Sequence, residues 1–225
     1  MLAADAAEEA TWQMLRRWFG NRSPHLILLA ATPGLRRAQD NGLRFVVRWL
    51  SLYWPQVPLV QISSTAVYDD LHGGLGDESA PITQQGRARD LLAIEAAVHA
   101  HSAAATILRA GGLRGGQRHQ RLQAMRHGPV RVSGPLARFL PLIHEKDLAD
   151  LLVGVGLHLH AGDQVPSVIN AVQPDHWRAR QFFLEQARLL GCQLQIELRA
   201  DVQAASRRLI TRYDHAHLAG PRLVR

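Results

Sequence analysis

Four short apolar runs, set apart by spans that read as helix, constrain this chain more than any other feature. His25-Leu26-Ile27-Leu28-Leu29-Ala30-Ala31 is a continuous apolar stretch, the pattern of a strand buried on both faces of a parallel sheet. Leu59 to Ser63, Ala105 to Arg109 and Ser167 to Val172 read in the same way. Between them, Ala3 to Phe19 places Trp12, Leu15 and Phe19 at spacings of three and four, the period of an amphipathic helix. Helices are also expected at about Asp40–Tyr53, Gln85–His101, Lys146–Val155 and Trp177–Leu190. Gly20 to Pro24 ends the first with a cluster of breakers. Val130–Val132 and Leu140–Ile143 read as short strands, and Gln193–Leu198 alternates like a half-exposed one. Strands alternating with helices of this length predict an α/β protein with a parallel sheet.

At 225 residues and 47% hydrophobic, the chain can bury one sizeable core with a small appended lobe. A charged fraction of 20% describes a globular chain and excludes a disordered one. No apolar run approaches the roughly 18 residues of a membrane helix. The acidic start, Met1 to Glu9, does not resemble a secretory leader. Cys192 is alone, so no internal disulfide forms, and a reducing cytoplasm is the expected location. The formal charge is +7, yet Lys146 is the lone lysine and the arginines are spread along the chain. Without interleaved aromatics this excludes a nucleic-acid binder. No interdomain linker or internal repeat is visible.

Several segments resemble consecutive landmarks of the extended short-chain dehydrogenase/reductase superfamily, the NAD(P)-dependent epimerase/dehydratase-like type. Ser63-Ser64-Thr65-Ala66-Val67-Tyr68 is similar to its strand-end motif, and Asp77-Glu78-Ser79-Ala80-Pro81 to its D-E-x-x-P loop. Leu108-Arg109-Ala110-Gly111-Gly112-Leu113-Arg114-Gly115-Gly116 resembles the segment beside the nicotinamide, with Arg114 where Tyr is usual. Pro141 to Ala149, Val168 to Val172 and Arg207 to Leu218 resemble the later landmarks. The resemblance implies a Rossmann-like parallel sheet with helices on both faces, incomplete at its N-terminal end, plus a small C-terminal α+β substrate lobe. It divides the chain into a core at 1–113 and 143–172 and substrate-lobe elements at 114–142 and 173–225.

The same resemblance assigns the site. The family's catalytic Ser, Tyr and Lys fall on Ser64, Gln85 and Arg89, so Ser64 alone is retained. Contacts to NAD or NADP fall on Ala30, Ala31, Ser63, Arg89 and Gly111, and substrate contacts on Tyr68, Arg114 and Arg118. Gln85 cannot exchange a proton near neutral pH, and Arg89 is effectively never deprotonated. Losing a positioned acid–base group costs about 10²–10⁴-fold in rate. No G-x-G-x-x-G or G-x-x-G-x-x-G occurs anywhere in the sequence, although backbone N–H groups of such a turn hold the pyrophosphate in this fold. If Leu26–Ala31 is the family's fourth strand, roughly 60 residues of the preceding βαβ units are absent. That strand's edge is then expected to be covered by a further N-terminal segment or a partner strand.

Function follows as an expectation: an NAD(P)-dependent epimerase, dehydratase or oxidoreductase ancestrally acting on a sugar or small hydroxylated substrate, impaired or inactive in this chain. The alternative is a non-catalytic ligand-binding or interaction scaffold with a cleft around Ser64, Gln85 and Arg109. Tyr68 is the nearest other phenol, weighed against a structural residue closing the strand-end turn. Ser64 has no G-x-S-x-G context for a hydrolase. Arg114, Arg118 and Arg121 could grip a diphosphate or form a solvated basic face. His99/His101, His158/His160 and His215/His217 are His-x-His pairs, but no carboxylate or Cys completes a zinc-like set, and no metal is expected. The resemblance also implies a homodimer through the helices around Asp40–Tyr53 and Gln85–His101.

Overall fold

The computed structural model describes residues 8–30, 43–115, 130–133, 136–190, 194–197 and 205–220. Its first helix, α1 (Glu9–Phe19), stops at Gly20, whose positive φ of 60° lets its N–H return to the Arg16 carbonyl. Strand β1 (Ile27–Leu29) follows, then α2 (Leu43–Tyr53), β2 (Leu59–Ser64) and a 3₁₀ turn at Thr65–Val67. A two-residue β3 (Leu75–Gly76) precedes α3 (Gly86–His101) and β4 (Ala105–Ala110). Next come β5 (Gly112–Arg114), β6 (Val130–Ser133), β7 (Phe139–Leu140), β8 (Leu142–His144) and α4 (Glu145–Ala161). The chain continues with β9 (Val168–Ala171), β10 (Trp177–Arg178), α5 (Ala179–Leu190), β11 (Leu194–Glu197), β12 (Arg208–Leu209) and α6 (His215–Leu218).

Four strands form one parallel sheet in the order β1-β2-β4-β9. Side chains alternate across a sheet, and the two cores follow that parity. Leu59 and Ile107 face α2 and α3, where they meet Val46, Val47, Leu50, Ile94 and Val98. Val60, Leu108 and Ile169 face α4, where they meet Leu148, Leu151, Leu152 and Val155. Every residue of β4 is buried, as expected of an interior strand covered on both faces. α1 is pinned to α2 by aromatic contacts, with Trp12 and Phe19 rings 6.0 and 5.1 Å from Trp54.

The α/β reading holds, and local differences have plain causes. β1 is shorter than the expected His25–Ala31 run and is not buried on both faces: Leu28 is 40% exposed. β1 ends the sheet, and among the described residues it has a paired neighbour on one side, β2. The expected Leu140–Ile143 strand is split at Pro141, which has no N–H for a ladder, into β7 and β8 with different partners. The expected helix at Trp177 starts at Ala179, because Trp177 and Arg178 pair with β7. Helix α4 runs past Val155 to Ala161 and ends at Gly162 in the left-handed region.

Gly154 on α4 makes a closer approach than a side chain would tolerate. A Cβ there would collide with the backbone of Leu218 and Ala219, so α6 lies directly on the helix surface. Gly154→Ala should therefore lower stability by about 1–3 kcal/mol, the usual cost of overpacking, measured as a shift of the urea midpoint at unchanged slope.

Candidate functional site

Strand parity places the first polar groups. Ser63 and Arg109 are register partners on β2 and β4, so both point to the α3 face. There they meet Glu95, buried in the middle of α3. Arg109 Nη2 lies 2.8 Å from Glu95 Oε2, and its Nε lies 3.3 Å from each carboxylate oxygen. The Ser63 hydroxyl donates to Glu95 Oε1 at 2.5 Å. Burial disfavours charge on Arg109, and the adjacent carboxylate more than restores it, so the guanidinium pKa is raised.

Tyr68 stacks on this pair. The Arg109 guanidinium carbon is 5.0 Å from the Tyr68 ring centroid, within cation–π range. Tyr68 is 0% exposed, and its hydroxyl donates to Asn170 Oδ1 on β9 at 2.7 Å. Burial raises the phenol's pKa above its ordinary value. Asn170 in turn donates its side-chain N–H to the Ile210 carbonyl at 2.9 Å and its backbone N–H to Glu78 Oε1 at 2.8 Å. Glu78 also accepts from the Thr211 hydroxyl at 2.7 Å and the Arg212 N–H at 3.1 Å. Neighbouring Asp77 holds the Arg212 guanidinium at 2.7 and 2.8 Å, and that bond lowers its pKa. Arg207 closes the group by donating to the carbonyls of Tyr68 and Asp69 at 2.6 and 2.7 Å.

The expected site residues are distributed around this network. Ser64 sits at the end of β2 as the cap of the 3₁₀ turn, and its Oγ accepts from the Ala66 N–H at 3.2 Å. Gln85 is the exposed residue just before α3, with its N–H toward Thr83 Oγ1 at 3.4 Å. Arg89 is exposed one turn further on, and α3 packs against the Thr65–Val67 turn that Ser64 caps. Ser63 points into the Glu95 pair, and Ala30 is exposed just beyond β1. Gly111 lies at the end of β4, where a Cβ would come within 2.6 Å of the Pro141 carbonyl. Arg114 donates from Nε to Gln173 Oε1 at 2.5 Å, and Gln173 reaches Asp147 at 2.9 Å. Ala31, Arg118 and Arg121 lie outside the described residues.

Glu95, Asn170 and Glu78 are the polar centres that reading the sequence did not identify. The signal was parity for Glu95, since two inward polar residues on paired strands demand a partner. All three His-x-His pairs lie on helices or their ends, where alternate residues diverge. Among the described residues no group of three His, Cys, Asp or Glu is placed to hold a metal ion.

No protein-family model and no curated protein matches the sequence. Solved structures do match in three dimensions. MoeE5 in complex with UDP-glucose and NAD shares 17% identity at a TM-score of 0.73, over 94% of this chain and 76% of that one. UDP-glucose 4-epimerase of Thermus thermophilus, complexed with NAD, shares 14% at 0.65, over 91% and 73%. The human epimerase family protein SDR39U1, solved with NADPH, shares 22% at 0.65, over 84% and 70%. The fold is the Rossmann-like α/β fold of these epimerase structures. The resemblance read from the motifs is thus borne out at the level of architecture, with the same epimerase-like branch among the structural neighbours.

In that fold a dinucleotide's pyrophosphate needs a glycine turn opening a helix, and the sequence carries no G-x-G-x-x-G or G-x-x-G-x-x-G for one. The described glycine clusters serve other close approaches. Gly74 and Gly76 pack against Leu71 and Ala80, and Gly111 against Pro141. Ser63, at a position of expected cofactor contact, has its hydroxyl engaged by Glu95.

The Arg109–Glu95 pair allows a direct test. Glu95→Ala leaves a buried guanidinium uncompensated and should destabilise by about 3–5 kcal/mol. Glu95→Leu combined with Arg109→Met should recover most of that loss, measured by urea denaturation.

Proposed function

We propose that this chain is an epimerase/dehydratase-type ligand-binding protein of the short-chain dehydrogenase fold, taking a sugar-like hydroxylated ligand at the C-terminal ends of β2, β4 and β9 and impaired in proton transfer. The neighbours carry UDP-sugars or nicotinamide cofactors in their crystals, and ligands of open α/β sheets bind at the carboxyl ends of strands. The observation that carries the impairment is the pair Gln85 and Arg89, exposed at the start of α3 without a titratable acid or base between them. Tyr68 cannot take over: its phenol is buried and already donates to Asn170.

What remains is binding and orientation. The Ser64 Oγ accepts from the Ala66 N–H, which leaves its O–H to donate to a ligand oxygen. Arg89 keeps a permanent charge and a planar fork suited to carboxylate or phosphate. Gln85 offers an amide donor and acceptor but no exchangeable proton near neutrality. A bound nicotinamide would supply hydride chemistry in this fold, and the sequence carries no G-x-G-x-x-G turn to hold its pyrophosphate. The division into a core at 1–113 and 143–172 and lobe elements at 114–142 and 173–225 belongs to the same proposal, as does a covered β1 edge.

Isothermal titration with UDP-glucose should show saturable binding, weakened about 3–10-fold by Ser64→Ala, the worth of one hydrogen bond. NADPH should show no micromolar binding to this chain. Micromolar NADPH affinity, or UDP-glucose turnover by the unaltered chain, would overturn the reading.

A further inference from the structure

Two of the His-x-His pairs come together across α4 and α6. Helix α4 carries His158 and His160 in its last turn, and α6 carries His215 and His217. The divergence of alternate residues on a helix sends each histidine of a pair to a different neighbour. His160 stacks on His25 with ring centroids 5.3 Å apart. His158 instead faces α6, its ring 5.6 Å from that of His217.

His158 stands between two acceptors. Its Nδ1 is 2.7 Å from Asp163 Oδ2, and its Nε2 is 3.4 Å from the His217 carbonyl oxygen. A carboxylate and a carbonyl cannot donate, so both bonds are made together only by the doubly protonated ring. On the far side of α6, His215 Nε2 donates to the Asn170 carbonyl on β9 at 2.9 Å, a bond that the neutral ring makes in full. Between these points α6 rests on Gly154 and buries Leu218 against the α4 core. The same Asn170 accepts the Tyr68 hydroxyl.

We propose that α6 is a pH-dependent latch on the β9 edge, held most firmly when His158 is an imidazolium and His215 is neutral, and loosened on either side of that condition. The groups facing His158 are Asp163, from the loop after α4, and His217 of α6. Those facing His215 are Glu78 from the loop after β3, Asp147 of α4 and its own neighbour Asp214.

The two histidines shift in opposite directions. The Asp163 bond, and after it the His217 carbonyl, raise the His158 pKa. The bond to the His217 carbonyl, the one broken when α6 lifts, is full below the ordinary imidazole value and fades as pH rises toward the raised one. Burial lowers the His215 pKa against the pull of the Asn170 carbonyl and the nearby carboxylates. Its contribution is therefore present above the ordinary value and fades as pH falls toward the lowered one. The latch is tightest near pH ~6.5, the unperturbed imidazole value.

Hydrogen exchange on the full chain, corrected for intrinsic rates, tests this. Amides of residues 205–220 should be most protected near pH ~6.5, with protection falling by up to about tenfold per pH unit on each side while one group titrates. Amides of α3 serve as the reference for global opening. His158→Gln should abolish the alkaline arm alone. His215→Gln, which keeps an N–H donor, should abolish the acid arm alone. In the unaltered protein, NMR titration should place His158 above and His215 below the ordinary value, a readout that survives if a variant fails to fold. Both rings titrating at the ordinary value, or both arms persisting in both variants, would overturn the latch.

Discussion

The structure turns on one buried ion pair. β4, like β2, has a strand on each side and helices on both faces, and it still carries Arg109 inward. Burying an isolated guanidinium would cost several kcal/mol. Glu95, at the facing position of α3, removes that cost and fixes the helix against the sheet at the same time. Ser63 satisfies another lone pair of the carboxylate, and Tyr68 lays its ring on the guanidinium. β2, α3 and β4 are thereby set against one another by one charge pair.

From Tyr68 the constraint passes outward through hydrogen bonds. Asn170 joins the phenol to the β9 edge, and Glu78 joins that edge to Thr211 and Arg212 near the end of the chain. An edge strand with free N–H and C=O groups invites pairing with another chain. On β9 the N–H of Asn170 is met by the Glu78 carboxylate and its carbonyl by the His215 imidazole. Side chains from distant segments thus do the work that a neighbouring strand would otherwise do.

What the sequence showed and what it concealed divide along this line. β2, β4 and β9 are legible because buried parallel strands are mostly apolar, and α1 and α2 because their apolar stripes repeat at helical spacing. The strand-end motif marks Ser64 correctly at the tip of β2. The two-residue strands β3 and β12 are not legible, since they pair with each other across 133 positions with no periodicity of their own. Glu95, Asn170 and Glu78 stay hidden for a related reason. Their partners lie 14 to 134 residues away along the chain, as in Arg109–Glu95 and Arg212–Glu78. A local window cannot distinguish Glu78 facing Asn170 from a solvated loop acid. His158 and His215 are concealed too: their spacing suggests a shared ligand, and only the helix geometry separates them.

The same network limits what the proposed strand-end site can do chemically. An acid–base phenol must reach its substrate and change its charge during turnover, and Tyr68 does neither, being enclosed and with its pKa raised by burial. Ionising it would bury a phenolate and break the bond to Asn170, a cost that the nearby Arg109 guanidinium reduces without removing. The arrangement that makes Tyr68 a good support for the β2–β9 junction therefore makes it a poor catalyst. Gln85 and Arg89 stand in the open at the mouth of α3, where an amide and a fixed charge favour holding a polar ligand over moving its protons.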